Sequence, residues 1–321
     1  MPHLKMFKQI VPPMNSSLYK GQAGRVGVVG GSLEYTGAPY FAAMAALRTG
    51  VDLCHVFCAQ ESGQVIKGFS PELIVHALLV TEKDCTHLDE EATNARIDGI
   101  VDLLTPVLQR LDSLIVGPGL SRDPVMQETA KRIIQHAVSI NTPLVVDADG
   151  LRLIEQHHSL VMGYKNVVLT PNINELKRLY VSRGIDYSGN IEESVAQLSK
   201  ALGFSTILCK GPSDIVVTGD EIRIVLDNAS LRRCGGQGDV LAGVLGAFLA
   251  WTNGFIHGRW TTSENSADLK QALSTAPLLA AYNASYFTRN CSAEAFRKHH
   301  RSTLTSDILK EIGPMFHKLY D

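Results

Sequence analysis

The stretch CGGQGDVLAGVLGAFLAW, Cys234 to Trp251, decides how this chain reads. It opens on glycines, passes a single carboxylate at Asp239 and enters an uncharged run of helical length from Val240 to Trp251. Glycines just ahead of a helix let backbone N–H groups point at an anion, and the helix dipole favours negative charge at that end. Asp239 is itself an anion in that place. Two readings stand: an N-cap for the first helical turn, or a catalytic base beside a phosphate cradle. The apolar run is too short to span a bilayer. Its small residues, Ala242, Gly243, Gly246, Ala247 and Ala250, suit a core helix that packs closely on its neighbours.

Outward from this helix, short apolar runs alternate with helical patterns. Strands are expected at 25–31, 51–58, 72–79, 113–116, 143–147, 166–170 and 206–209, with a hairpin formed by 215–218 and 222–226 around Gly219 and Asp220. Helices are expected at 38–49, 89–111 with a kink or split at Pro106, 124–139, 172–182, 192–202, 267–288 and 303–319. Residues 1–20 read as an arm or short helix broken at Pro12 and Pro13. Such alternation predicts an α/β fold, a mostly parallel central sheet with helices on both faces. Residues 252–271 are polar and read as a surface insertion within one domain spanning 1–321.

In a sheet of this kind ligands bind outside the carboxyl ends of the strands, and the polar and glycine motifs all fall there. KGQAGRVGVVGGS (20–32) fits neither a Walker A loop nor GxGxxG, so a close-packed strand and turn is the simpler account. Gly117-Pro-Gly119 permits close approach of a ligand, or is a plain turn. Asp147 and Asp149 form either an Asx turn or helix cap, or oxygen ligands for a hard cation. Glu175 suits a helix N-terminus on dipole grounds alone. Lys210 and Gly211 follow a strand and could take phosphate, or simply enter the hairpin.

The chain has 321 residues, 45% hydrophobic and 19% charged, with a formal net charge of −2. No basic field is present, so nucleic acid and anionic membrane are not expected partners. The cysteines at 54, 58, 85, 209, 234 and 291 form no CxxC pair and read as reduced, mostly buried thiols. The N-terminus has neither the apolar core of a signal peptide nor the Arg-rich pattern of a transit peptide. Cytosol is the expected compartment.

Taken in order, KGQAGRVGVVGGSLEYTGAPYFAA (20–43), VGPGL (116–120), VVDADGL (145–151), LTPNINEL (169–176), CKGPSD (209–214) and GGQGDVLAGVLGAF (235–248) resemble the ATP/ADP-dependent NAD(P)H-hydrate dehydratases. This family is a branch of the ribokinase-like superfamily, and the match runs from about residue 8 to 319. The first motif is most similar to the eukaryotic, ATP-using form without a fused epimerase domain. The resemblance implies a three-layer αβα fold and a single catalytic residue, Asp239. It places the hydrated nicotinamide nucleotide against Gly119, Asn172, Ile173, Asn174, Glu175, Leu176, Lys177, Arg178 and Asp239. It assigns ATP to Lys210, Gly211, Pro212, Ser213 and Asp214, and to Ala229, Ser230, Leu231, Arg232, Arg233, Cys234, Gly235, Gly236, Gln237 and Gly238. Gln237 departs from the Ser, Ala or Thr common in the superfamily; its longer side chain should leave the backbone cradle intact.

The implied substrates are S-NADHX and S-NADPHX, nicotinamide nucleotides carrying a hydroxyl on C6 after addition of water. ATP would convert that hydroxyl into phosphate, and Mg2+ would accompany ATP, with its ligands unassigned. An NAD(P)HX epimerase is the implied functional partner, and relatives assemble, which leaves a homo-oligomer open. Two rivals remain: a small-molecule kinase of thiazole or pyrimidine type, and a non-catalytic nucleotide-binding sensor.

Overall fold

The computed structural model describes residues 2–16, 19–185, 189–225, 230–261, 269 and 273–321. Nine strands among them form one sheet: β1 (Arg25–Val29), β2 (Leu53–Ala59), β3 (Ile74–Leu79), β4 (Ser113–Val116), β5 (Leu144–Val146), β6 (Val167–Leu169), β7 (Thr206–Cys209), β8 (Asp214–Thr218) and β9 (Glu221–Val225). Their order is β3-β2-β1-β4-β5-β6-β7-β8-β9. The first seven pair in parallel, and β8 and β9 add an antiparallel edge.

The strands have apolar side chains on both faces because both faces are covered. Val28, Ile115, Val145, Val168, Leu208 and Val216 point to one hydrophobic core, while Val116, Val146, Leu169, Ile207 and Val217 point to another. The first core is closed by α1 (Pro2–Lys8), α2 (Gly37–Thr49), α9 (Gln237–Ile256), α10 (Ala276–His299) and α11 (Thr305–Tyr320). The second is closed by α4 (Glu90–Leu108), α5 (Pro124–Ser139), α6 (Asp149–Gln156), α7 (Ile173–Ser182) and α8 (Ile191–Ala201). The architecture is the expected αβα sandwich.

The central helix packs as its small residues anticipate. A side-chain carbon at Gly243 would fall 2.0 Å from the Ala42 carbonyl oxygen, so α2 and α9 meet backbone to backbone there. One turn on, the Gly246 carbonyl accepts a 2.7 Å hydrogen bond from Ser113 Oγ, tying α9 to β4.

Several boundaries differ from expectation. The helix α9 begins at Gln237 and ends at Ile256, five residues into the stretch read as polar insertion. At 20 residues it is long and apolar enough to cross a membrane, but most of it is buried within the fold as a core helix. Beyond its end, Trp260 is buried and its Nε1 donates to the Ile10 carbonyl at 2.9 Å. The remainder of the insertion, 262–268 and 270–271, lies outside the described residues. Pro106 does not split α4, which runs through to Leu108. Proline frees the carbonyl four residues back, and Asp102 is exposed, so water can satisfy it. The helix α3 (Gln60–Phe69) was not anticipated, because its sequence QESGQVIKGF has two glycines. Residue 63 packs directly beneath Ala77 of β3, and this contact overrides the weak local propensity.

Candidate active site

The carboxyl ends of β5, β6 and β7 deliver Asp147, Thr170 and Lys210 to one rim. Lys210 Nζ lies 2.6 Å from Asp147 Oδ1, and that same oxygen accepts a 2.7 Å hydrogen bond from Thr170 Oγ1. Asp147 is 2% exposed and Lys210 is partly exposed, so the pair is half-buried, with both contacts falling on one carboxylate oxygen. The turns that follow β6 and β7 are joined as well. Asn172 and Lys210 form an isolated parallel bridge, and Lys210 N donates to the Pro171 carbonyl at 2.8 Å.

The glycine loop sits over this pair. Gly236 is the N-cap of α9, with φ of 94°, a left-handed conformation that favours glycine. A side-chain carbon there would come 3.0 Å from Thr305 and 2.9 Å from Phe41, so α11 and α2 brace the turn from behind. Thr305 Oγ1 also donates to the Gly235 carbonyl. A carbon added at Gly238 would lie 3.4 Å from Lys210 Nζ and 3.7 Å from Asp147 Oδ2. The first turn of α9 therefore rests on the Lys210–Asp147 pair.

Asp239 occupies the third position of α9, and no side-chain hydrogen bond caps that helix. The capping account of Asp239 is thus overturned, because Gly236 already holds the cap position. Burial in the cleft raises the Asp239 pKa to about 8; the Asp147 charge adds to this and Lys210 opposes it. Burial disfavours the charge on Lys210, but Asp147, Glu175 and Asp239 outweigh it and its pKa is raised. Burial also raises the Glu175 pKa, with Lys210 partly offsetting the rise.

A cavity of about 580 Å3 opens at this point. From the nucleotide-side segments, Lys210, Gly211, Pro212, Asp214, Ser230, Arg233, Cys234, Gly236, Gln237 and Gly238 border it. Ser213, Leu231, Arg232 and Gly235 do not, and Leu231 is 87% exposed. Ala229 lies outside the described residues. The Asp214 carboxylate is fully engaged, accepting from Gly211 N at 2.9 Å, Ser285 Oγ at 2.7 Å and Arg289 Nη1 at 3.0 Å. Gln237 Nε2 folds back to the Arg232 carbonyl at 3.0 Å, which leaves the backbone cradle clear.

On the other side, only Asn172 and Asp239 of the residues assigned to the hydrated nucleotide border this cavity. Asn172 and Glu175 make a reciprocal capping box at the start of α7, with Asn172 N to Glu175 Oε2 at 2.7 Å and Glu175 N to Asn172 Oδ1 at 3.0 Å. Ile173, Asn174 and Lys177 are exposed on that helix, whereas Leu176 is buried in the core and Arg178 pairs with Glu155 at 2.9 Å. Gly119 stands apart at the end of β4, where its carbonyl accepts from Gly31 N at 3.0 Å and Ser32 N at 2.8 Å. Asp149 accepts from Ser121 N at 2.9 Å and does not converge with Asp147. Among the described residues, no three His, Cys, Asp or Glu side chains gather as a metal site.

The far wall was not anticipated. Ser285, Thr288, Arg289 and Ser292 of α10 border the cavity. Their spacing of i, i+3, i+4 and i+7 is one helical face. Ser285, Thr288, Arg289 and Ser292 are scattered among other polar residues of a helix that runs on to His299, beyond the expected end at 288.

The model of the NAD(P)H-hydrate dehydratase family matches residues 26–314. The chain belongs to that family. Among its relatives, the ATP-dependent (S)-NAD(P)H-hydrate dehydratase of Batrachochytrium dendrobatidis is 60% identical over 317 residues, 99% of this chain and 98% of its own. A ribokinase-like superfamily protein from Enterococcus faecalis superposes with a TM-score of 0.68 at 21% identity, covering 98% of this chain and 94% of that one. The Bacillus subtilis ADP/ATP-dependent NAD(P)H-hydrate dehydratase, co-crystallized with ATP/Mg2+, gives a TM-score of 0.65 at 19% identity over 99% and 97% of the two chains. At these identities the structural likenesses speak for the fold, which is ribokinase-like. The dehydratase family match spans every rim residue described above.

Proposed function

We propose that this chain is an ATP-dependent dehydratase that returns S-NADHX and S-NADPHX to NADH and NADPH. The observation that carries the reading is the position of Asp239, at the first turn of α9 above the Lys210–Asp147 pair, in a cavity bordered by both nucleotide-side segments. The identity of 60% with the Batrachochytrium enzyme supports the substrate.

Hydroxide leaves poorly at neutral pH. Phosphoryl transfer turns the C6 hydroxyl into a good leaving group and is achieved mostly by positioning and charge stabilisation. Asp239 accepts the proton as the hydroxyl oxygen attacks the γ-phosphorus and ADP departs. The N–H groups at 235–238 hold the charge that develops on phosphate, aided by the α9 dipole. The ring nitrogen lone pair then expels phosphate from C6, and loss of the neighbouring proton restores the dihydronicotinamide. A carboxylate with a pKa near the working pH is a stronger base than an exposed one.

Mg2+ commonly binds through one or two carboxylates together with substrate phosphates and water. The Asp147 oxygen that carries no hydrogen bond fits that role for an ion arriving with ATP, and its charge would neutralise the transferring group. The segment at Asn172 and α7, together with Gly119, would carry the nicotinamide nucleotide on the neighbouring part of the rim. Because one epimer is used, an epimerase would supply it from the R form. The cytosol, where reduced thiols persist, is the compartment that suits the cysteine pattern.

The test supplies S-NADHX, ATP and Mg2+ and follows recovery of NADH absorbance, with the R epimer alone as a control. Accumulation of a stable phosphorylated product, seen by mass spectrometry, would instead make the protein a small-molecule kinase.

A further inference from the structure

The α10 face offers the cavity something that neither nucleotide segment does. Thr288 borders the cavity and is 6% exposed. Its hydroxyl is buried and has no hydrogen-bond partner among the described residues. Threonine in a helix ordinarily satisfies its hydroxyl on the carbonyl one turn back and has two accessible χ1 rotamers. Here that bond is not made, and a buried hydroxyl left unpaired is destabilising. Such a group beside a binding cavity is open to a partner that a bound ligand can supply.

The layout says which part of a ligand it meets. Phosphate belongs at Gly236–Gly238 and Lys210, at the mouth of α9. The helix α10 lies on the same side of the sheet as α9, beside β8, where Ser285 and Arg289 grip Asp214. A nucleotide with its phosphates at α9 therefore extends its nucleoside toward α10. Arg289 is also held by the Gly211 carbonyl at 3.4 Å and by the Pro212 carbonyl, so its guanidinium fixes the loop between the two walls.

We propose that α10 forms a third wall of the nucleotide site, on which the Thr288 hydroxyl hydrogen-bonds the nucleoside part of ATP and Arg289 acts as a positioning residue for the 210–214 loop. This rests on the reading of the cavity as an ATP site. Rotation about χ1 moves the oxygen among the staggered positions, one route by which it can reach a ligand in the cavity.

The experiment compares wild type, Thr288→Val and Thr288→Ser by ATP-induced thermal shift and by steady-state repair kinetics. Valine removes the hydroxyl at nearly constant volume. The ligand-free Thr288→Val protein should melt no lower than wild type, because an unsatisfied group has been removed. Its KM for ATP should rise about five- to tenfold, the loss of one hydrogen bond. Its kcat and its KM for the hydrate should stay within about twofold of wild type, with serine restoring ATP affinity. A Thr288→Val protein with unchanged ATP shift and KM overturns the proposal, as does a wild type that ATP does not stabilise. A wild type that binds ATP through Thr288 but repairs no hydrate leaves the third wall standing and removes only the dehydratase reading.

Discussion

Lys210 Nζ stands 2.6 Å from Asp147 Oδ1, and a carbon added at Gly238 would touch both side chains within 3.7 Å. The pair is thus the floor on which the N-terminal end of α9 is set. It places one positive charge near Asp147, Glu175 and Asp239, so the ionisation of Asp239, on α9, depends on a residue at the end of β7.

Asp239→Asn keeps shape and removes the carboxylate proposed as the base. Repair should fall by about 10²- to 10⁴-fold, while the ATP-induced thermal shift persists. Wild-type rates of NADH recovery in this variant would falsify the assigned role.

The pH profile follows from the same carboxyl. With its pKa raised to about 8, Asp239 is mostly protonated at neutral pH in the free enzyme, so kcat/KM should climb through a limb near pH 8. Lys210→Met removes the cation that opposes the rise, and the limb should move to higher pH. A limb that stays in place, or moves down, contradicts the coupling.

Stability should respond with the opposite sign. Asp239 titrates near 4 when unfolded and at about 8 when folded, so the native state binds more protons between those values. On this account wild-type stability declines as pH rises across that window, fully retained below it. Asparagine does not titrate, so the melting advantage of Asp239→Asn over wild type should widen from pH 6 to pH 8 and then level off. Thermal melts at pH 6, 7, 8 and 9 measure it; a constant gap would count against burial as the cause.

Asp214 is 5% exposed and Arg289 is 9% exposed. Removing one partner of a buried pair strands the other, so Asp214→Ala should cost about 3–5 kcal/mol in urea unfolding. A loss below about 1 kcal/mol would mean that the loop is held by its carbonyl contacts alone.

At the contact between α2 and α9, Gly243→Ala places its methyl 2.0 Å from the Ala42 carbonyl oxygen. Overpacking there should cost about 1–3 kcal/mol and loosen the first turn of α9. Denaturant unfolding should show the loss, and the KM for ATP should rise with it.

The rim was legible because its residues serve local rules. Asn172 and Glu175 announce a helix start whether or not a ligand is near, and α7 ends at Ser182 where the pattern placed it. Strand runs such as LIV at 114–116 are apolar throughout and could only be buried on both faces. The α10 stripe escaped because Ser285, Thr288 and Ser292 are unremarkable on their own, and their meaning depends on a helix lying beside β8. Thr305 escaped for the same reason: it reaches Gly235 from 70 residues away. The partnership of Lys210 with Asp147 spans 63 residues, and neither motif hints at the other. What could not be read was long-range side-chain company.

The bridge between Asn172 and Lys210 gives the two halves of the site a common ruler. One turn belongs to the side where a hydroxyl would be offered, the other to the side where a phosphate would be presented. Their backbones are held at the spacing of adjacent strands, about 4.8 Å. That length is a property of peptide groups, so drift in the surrounding side chains cannot stretch it. Evolution could retune what each turn grips while donor and acceptor stayed in register.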